Sequence, residues 1–183
     1  RHAGTFVGMP SHSPRDAVIE CAKAAEAAGA DLLVTFGGGS VTDATKVVQI
    51  CLKHKVFTVE GLDDYHVKVR TDGNNFAPKF DGPDVRQISV PTTLSGGEFN
   101  PLGGCTDHRT KVKQSYTHPD LVPAAVILDP APTVHTPIAL KVCARNTSTP
   151  MPRARCCTVC VSYPRGWPRR KPTRPIWKQG SNA

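Results

Sequence analysis

The chain reads as an α/β protein built on a parallel sheet. Three observations predict this: a stretch of helical apolar spacing that ends at a glycine, a nearly continuous apolar run closed by three glycines, and a second helical stretch directly behind them. Ser13-Pro14-Arg15-Asp16 places a capping serine before a proline at the first helical position, with an acid in the first turn. Ala17, Val18, Cys21, Ala24, Ala25 and Ala28 then recur at helical spacing, and Gly29 supplies a left-handed stop, so a helix is expected over 14–28. Asp31-Leu32-Leu33-Val34-Thr35-Phe36 follows as a strand expected to be buried on both faces. The second helix, 40–54, carries Val41, Ala44, Val47, Val48 and Cys51 along one stripe, with Lys53, His54 and Lys55 near its negative end. Strands are expected at 56–59, 87–90 and 124–128, and the Asp-, Asn-, Gly- and Lys-rich stretch 61–83 reads as loop with a short extended piece at 65–69. Alternation of helix and strand implies right-handed crossovers.

Length and composition bound the rest. The 183 residues suffice for one full domain, and 39% apolar with 21% charged residues fits a globular protein. No apolar run approaches the roughly 20 residues of a membrane helix, so no membrane partner is expected. The chain opens on Arg1 without a signal-like apolar stretch, and its natural start is expected to lie upstream. A net charge of +8 would suggest an anionic partner, but its distribution undoes that reading. Residues 1–129 hold 13 Lys and Arg against 15 Asp and Glu, whereas 130–183 hold 10 Lys and Arg and no acid. The expected organisation is therefore an α/β domain over 1–137, incomplete at its N-terminus, and a basic Pro-, Arg- and Cys-rich tail over 138–183. From Pro137 onward seven prolines and dispersed arginines leave no apolar face, so the tail reads as largely disordered. The odd total of seven cysteines argues for a reducing, cytoplasmic location.

Chemistry points to two loops. Gly37-Gly38-Gly39-Ser40 lies between a strand and a helix, where glycines admit a diphosphate to the backbone and helix-start amides meet its charge. Asp43 and Lys46, one turn apart, add a polar group and a cation near that end. The motif is neither G-x-G-x-x-G nor the Walker pattern, and a tight turn without a ligand is the competing reading. Pro91-Thr92-Thr93-Leu94-Ser95-Gly96-Gly97-Glu98 follows the strand ending at Val90, at the carboxyl edge where open α/β sheets bind ligands.

With both loops in view, the chain resembles the iron-containing alcohol dehydrogenase family, including its maleylacetate reductase branch. The resemblance rests on Gly37-Gly38-Gly39-Ser40-Val41-Thr42-Asp43-Ala44-Thr45-Lys46, Val90-Pro91-Thr92-Thr93, Thr106-Asp107 with Lys111 and Lys113, and Ala125-Val126-Ile127-Leu128-Asp129-Pro130, and it runs from about Thr5 to about Pro137. It implies a partial Rossmann-like nucleotide-binding domain whose cofactor is NAD or NADP. By the same resemblance Gly38, Gly39 and Ser40 bind the diphosphate, Asp43 sits toward the nicotinamide, Thr92 and Thr93 line the cleft, and Lys113 contacts the cofactor, with Lys111 as the alternative. It implies an alcohol or carbonyl substrate, a divalent iron or zinc ion, and a homo-oligomer for an intact member. The loop Ser95-Gly96-Gly97-Glu98 departs from the family's commoner G-T-G-S-E and is closer to the reductase branch.

The metal is expected to have no ligands here, and no catalytic residue is assigned. Metal-dependent members use an aspartate and three histidines from a helical domain, but no aspartate follows Asp129 and His135 is the last histidine. The fragment is therefore expected to be inactive. Cys157-Thr158-Val159-Cys160 has zinc-like spacing without a second pair. Arg165, Arg169, Arg170, Lys171 and Arg174 with Trp167 and Trp177 could contact nucleic acid, although a solvated tail is the simpler reading, and the alternative to an enzyme is a nucleotide-binding remnant with such a tail. The abrupt change after Pro137 suggests an altered reading frame, a mis-spliced exon or a gene-model error.

Overall fold

The computed structural model describes residues 2–69, 73–137 and 157–161. Apolar spacing and glycine punctuation place the first helix, α1, at Arg15–Ala27, closed by Gly29 at φ +60. Its start differs from expectation. Pro14 is the N-cap and no side chain caps the helix, because the Ser13 hydroxyl instead donates to the Ser40 carbonyl at 2.6 Å. The preceding strand, β1 (His2–Val7), is an element the sequence reading did not place.

Strand β2 (Leu32–Gly37) leads through Gly38 into α2 (Gly39–His54), which stops at Lys55 in a left-handed conformation. The strand expected at 56–59 does not form. The chain turns there and enters a short 3-10 helix, Glu60–Asp64, while Val56, Phe57 and Val59 pack against the core instead of a neighbouring strand. A two-residue pair, β3 (Lys68–Val69) and β4 (Asn75–Phe76), precedes β5 (Arg86–Pro91). Next comes an antiparallel hairpin that periodicity did not reveal, β6 (Leu102–Asp107) with β7 (Val112–Thr117), then β8 (Ala125–Val126), shorter than expected.

The main sheet has the order β1-β9-β2-β5-β8, in which β2, β5 and β8 run parallel. Strand β9 (Cys157–Val161) lies between β1 and β2 and is antiparallel to both. It is the described part of the tail, and Thr158, Val159 and Val161 give it β-branched character without a proline. The remaining tail residues, with the readings of disorder and nucleic-acid contact attached to them, lie outside the described residues, as do the side chains of the Cys157 and Cys160 pair.

Both faces of β2 were expected to be buried, and the structure shows one. Leu33 and Thr35 of β2 and Gln87 and Ser89 of β5 are buried beneath the helices, with the Thr42 hydroxyl of α2 3.5 Å from that of Ser89. The opposite-facing Leu32, Val34, Ile88 and Val90 are only partly buried, and Phe36 is 40% exposed. Period-two alternation is thus present, but both sets of positions are largely apolar or small, so hydrophobicity alone could not display it. Val18, Ile19, Leu33, Val41, Val47, Val48 and Ile50 form the sheet–helix core, each such side chain contributing about 2 kcal/mol when fully buried.

Arg15 of α1, fully buried, ties this layer to the hairpin. Its guanidinium donates to the Val59 carbonyl at 2.9 Å and to Asp63 at 2.5 Å, and lies 3.4 Å from buried Asp107. Arg109 joins Asp107 at 2.8 Å and Asp63 at 2.6 Å. Its hydrogen bonds, reinforced by its backbone amide and the charge of Arg15, hold the Asp107 carboxyl down at about 2. At Asp63 burial opposes ionisation, but Arg109 and Arg15 outweigh it.

A folded-state value below that of the free carboxyl means that Asp107 stabilises the fold above about pH 4 and loses that contribution as pH falls through about 2. The stabilisation is expected to be of order 2 kcal/mol, from the size of the shift. Thermal unfolding followed from pH 6 to pH 2 checks this: the Asp107→Asn variant starts less stable and shows a shallower acid slope than the unsubstituted chain.

Candidate cofactor-binding site

The site lies where β2 and β5 end together. Parallel pairing sets Gly37 opposite Pro91, and the Thr92 amide donates to the Gly37 carbonyl at 2.9 Å, so the two following loops leave the sheet side by side. A third segment, after β8, reaches the same edge: the Thr136 hydroxyl donates to the Thr92 carbonyl at 2.7 Å.

Gly37, at φ 154, turns the chain out of the strand, and extended Gly38 starts α2. No side chain caps this helix. The amides of Val41 and Thr42 both turn back to the Gly38 carbonyl, at 3.0 and 3.3 Å. Helix geometry gives the amides of Gly39 and Ser40 no acceptor within the helix, and they lie at the positive end of its dipole. Ser40 is braced from behind, its Oγ accepting from the His12 amide at 3.2 Å and its carbonyl from the Ser13 hydroxyl, which leaves its own hydroxyl proton for a ligand.

The glycines have a second reason to be glycine. A Cβ on Gly38 would lie 3.0 Å from Thr93 Cγ2 and 3.3 Å from its Oγ1, and one on Gly39 would lie 2.8 Å from Ser95 Oγ. The two loops touch through the hydrogens of these glycines. Thr93 is β-branched and stiff at χ1, so it yields little.

Asp43, one turn into α2, is mostly buried, and its carboxylate meets the Lys113 ammonium of β7 at 3.2 Å. Burial raises its affinity for a proton, against the pull of Lys113 and then of Lys46. Lys113 reaches it by crossing Gly104 of β6, where a Cβ would lie 2.4 Å from Lys113 Cε. Gly103 similarly lets β6 approach α2, since its Cβ would sit 3.0 Å from Lys46 Cβ. Lys111 lies at φ 57 in the turn joining β6 to β7. Of the two lysines, Lys113 is the one whose ammonium contacts Asp43.

The structure therefore gathers Gly38, Gly39, Ser40, Asp43, Thr92, Thr93 and Lys113 around one edge. It also recruits residues whose part was not read from sequence: Ser95, Thr136 and the pair Gly103-Gly104. Adjacent glycines inside a strand are a signal of close backbone approach and could have flagged the last. Lys46 departs from its expected place as a cation at the helix start. Its ammonium is buried and donates to the carbonyls of Gly97 at 2.5 Å, Asn100 at 2.7 Å and Leu102 at 2.8 Å, with Asn100 Oδ1 at 3.2 Å. Burial pulls it down to about 8, against the charges of Asp43 and Glu98.

Among the described residues no group of three or more His, Cys, Asp and Glu is placed to hold a metal ion, and no helix is long and apolar enough to cross a membrane.

Comparison with known proteins identifies relatives of this chain. The model of the iron-containing alcohol dehydrogenase family matches residues 2–130. A dehydrogenase of Alternaria alternata, ALT3, is 38% identical over 135 residues, covering 74% of this chain and 34% of that protein. A maleylacetate reductase of Rhizobium sp. is 30% identical over 140 residues, covering 76% and 30%. The crystal structure of maleylacetate reductase from Agrobacterium tumefaciens superposes with a TM-score of 0.50 at 28% identity, covering 73% of this chain and 29% of that one. The chain thus spans about a third of the length of the relatives it matches. The family model, matched over most of the chain, together with these relatives shows that the chain belongs to the iron-containing alcohol dehydrogenase family.

Proposed function

We propose that this chain forms the dinucleotide-binding wall of an NAD- or NADP-dependent oxidoreductase that interconverts an alcohol and a carbonyl, or reduces maleylacetate. The observation that carries the reading is the N-terminus of α2, which has no side-chain cap and faces a second loop at the carboxyl edge of β2 and β5. The residues present fit a dinucleotide. Amides of Gly39 and Ser40 with the Ser40 hydroxyl meet the diphosphate, Thr92 and Thr93 bound the cleft, and Asp43 with Lys113 fixes polarity toward the nicotinamide end. A bound dinucleotide would supply the redox chemistry, donating a hydride to the carbonyl in its reduced form or taking one from the alcohol in its oxidised form, while the protein binds, orients and excludes water.

Burial gives Asp43 a raised proton affinity, while its pairing with Lys113 limits the rise. The pair therefore presents a fixed, nearly neutral polar surface to a ligand instead of a bare carboxylate that would repel the diphosphate. The family's divalent ion does not fit the described residues, since no group of three or more His, Cys, Asp and Glu among them is placed to hold it. Because no aspartate follows Asp129 and no histidine follows His135, the 183-residue chain alone is expected to bind dinucleotide without turning over. Sustained metal-dependent oxidation of a short alcohol by the purified chain would contradict this.

Titration calorimetry with NADH and NADPH tests the reading: saturable binding of at least one is expected, and no heat at millimolar cofactor would overturn it. A cycle of substitutions then separates the two demands on Gly38. Gly38→Ala should weaken binding about tenfold or more and also destabilise the fold by roughly 1–3 kcal/mol through overpacking on Thr93. In a Thr93→Ala background the stability cost should shrink, because the Cγ2 and Oγ1 neighbours are gone, whereas the loss of affinity should persist. If affinity returns with stability, Gly38 serves loop packing alone.

A further inference from the structure

Lys46 is the one lysine of α2 that is wholly buried, and its ammonium is taken up by the β5–β6 loop, from Gly97 to Leu102 at the start of β6. Three N–H groups face four acceptors, the carbonyls of Gly97, Asn100 and Leu102 and the side-chain oxygen of Asn100. Asn100 extends the clamp, its Oδ1 also accepting from the Leu102 amide at 2.9 Å and its Nδ2 donating to the Gly96 carbonyl at 3.4 Å. The charge is offset by Asp43 from the same helix and by Glu98 from the loop itself, which is also buried, and Lys113 of β7 faces Asp43 from the other side.

The loop is thus held at two points. At its start, the Thr92 amide is bonded to Gly37. Toward its end, Lys46 binds three backbone carbonyls, beside a short 3-10 turn at Gly97–Phe99 that has little burial of its own beyond Glu98. Thr93 and Ser95, which set the distance to Gly38 and Gly39, lie between these points. Releasing the second point would let Ser95 and then Thr93 move relative to the glycine turn, changing the width of the cleft without altering any atom that touches a ligand.

We propose that Lys46 is a positioning residue for the dinucleotide site: it touches no cofactor but holds the Thr92–Gly97 loop at the spacing from Gly38–Ser40 that a diphosphate requires. This rests on the cofactor reading given above. A purely structural lysine would lower stability and leave the affinity of folded molecules unchanged, whereas a positioning lysine changes the affinity of molecules that remain folded.

The test uses the full chain and two variants. Lys46→Met keeps the apolar stem and removes the donors; Asn100→Ala removes one acceptor and leaves α2 intact. Amide hydrogen exchange of residues 93–100 is measured without nucleotide, and NADH and NADPH dissociation constants are measured on the same folded samples. Lys46→Met should speed exchange in this loop about tenfold or more and weaken binding by a similar factor, as expected for loss of hydrogen bonds to a charged group. Exchange in α1 and β2 should be unchanged. Asn100→Ala should move both readouts the same way by a smaller factor, and it decides the matter if Lys46→Met does not fold. Faster loop exchange with unchanged dissociation constants would reduce Lys46 to a structural tether, and unchanged exchange would remove the tether itself. Absence of binding by the unsubstituted chain would instead defeat the cofactor reading, and this proposal with it.

Discussion

The parallel register of β2 against β5 is the constraint on which the rest depends. Because Gly37 lies opposite Pro91, both strands end at one level, and the loops behind them emerge in contact. That contact explains why two consecutive residues at the start of α2 lack side chains: Thr93 and Ser95 occupy the space any Cβ would need. The same glycines leave the first amides of α2 open to the solvent side of the cleft, where the helix dipole favours an anion. Packing and binding therefore impose one requirement on the same two positions. Neither loop alone would be specific, since a glycine turn before a helix is common and a Thr-Thr pair after a strand is commoner still.

Two buried cations organise what surrounds this edge. Arg15 gathers Val59, Asp63 and Asp107, fastening α1 to the hairpin β6–β7, while Lys46 gathers Gly97, Asn100 and Leu102, fastening α2 to the loop that feeds the same hairpin. A buried charge is tolerated only when its protons find acceptors and its charge finds a counter-ion. Both cations find counter-ions, and the Lys46 ammonium is fully supplied with acceptors, whereas Arg15 is bonded through Nη1 and its buried Nε and Nη2 have no hydrogen-bond partner among the described residues. The hairpin in turn delivers Lys113 to Asp43, so it carries an ion pair of the Arg15 cluster on Asp107 and the partner of Asp43 on Lys113.

The legible parts of the sequence were those in which one local signal sufficed. Gly29 ended α1, the three glycines ended β2, and the apolar stripe of Val41, Ala44, Val47, Val48 and Cys51 marked the buried side of α2. The illegible parts depended on partners. Val56, Phe57 and Val59 have strand-like composition but find a core, not a strand, and the hairpin β6–β7 hides behind glycines and charges whose spacing makes sense only against α2. Strand β9 pairs with β1 and β2, neither of which is near it in sequence. For the site, the motif residues were readable, but the direction of Lys46 was not. A lysine one turn beyond Asp43 looks like a ligand contact until the carbonyls of Gly97, Asn100 and Leu102 are seen around it.

The central claim, that one edge formed by two loops binds a dinucleotide diphosphate, is tested most directly by amide NMR of the chain titrated with ADP-ribose, which carries the diphosphate without the nicotinamide. The account predicts saturable shifts that begin at Gly39 and Ser40, extend to Thr92 and Thr93, and share one dissociation constant. Shifts confined to other surfaces, or none at Gly39 and Ser40 at saturating ligand, would contradict it.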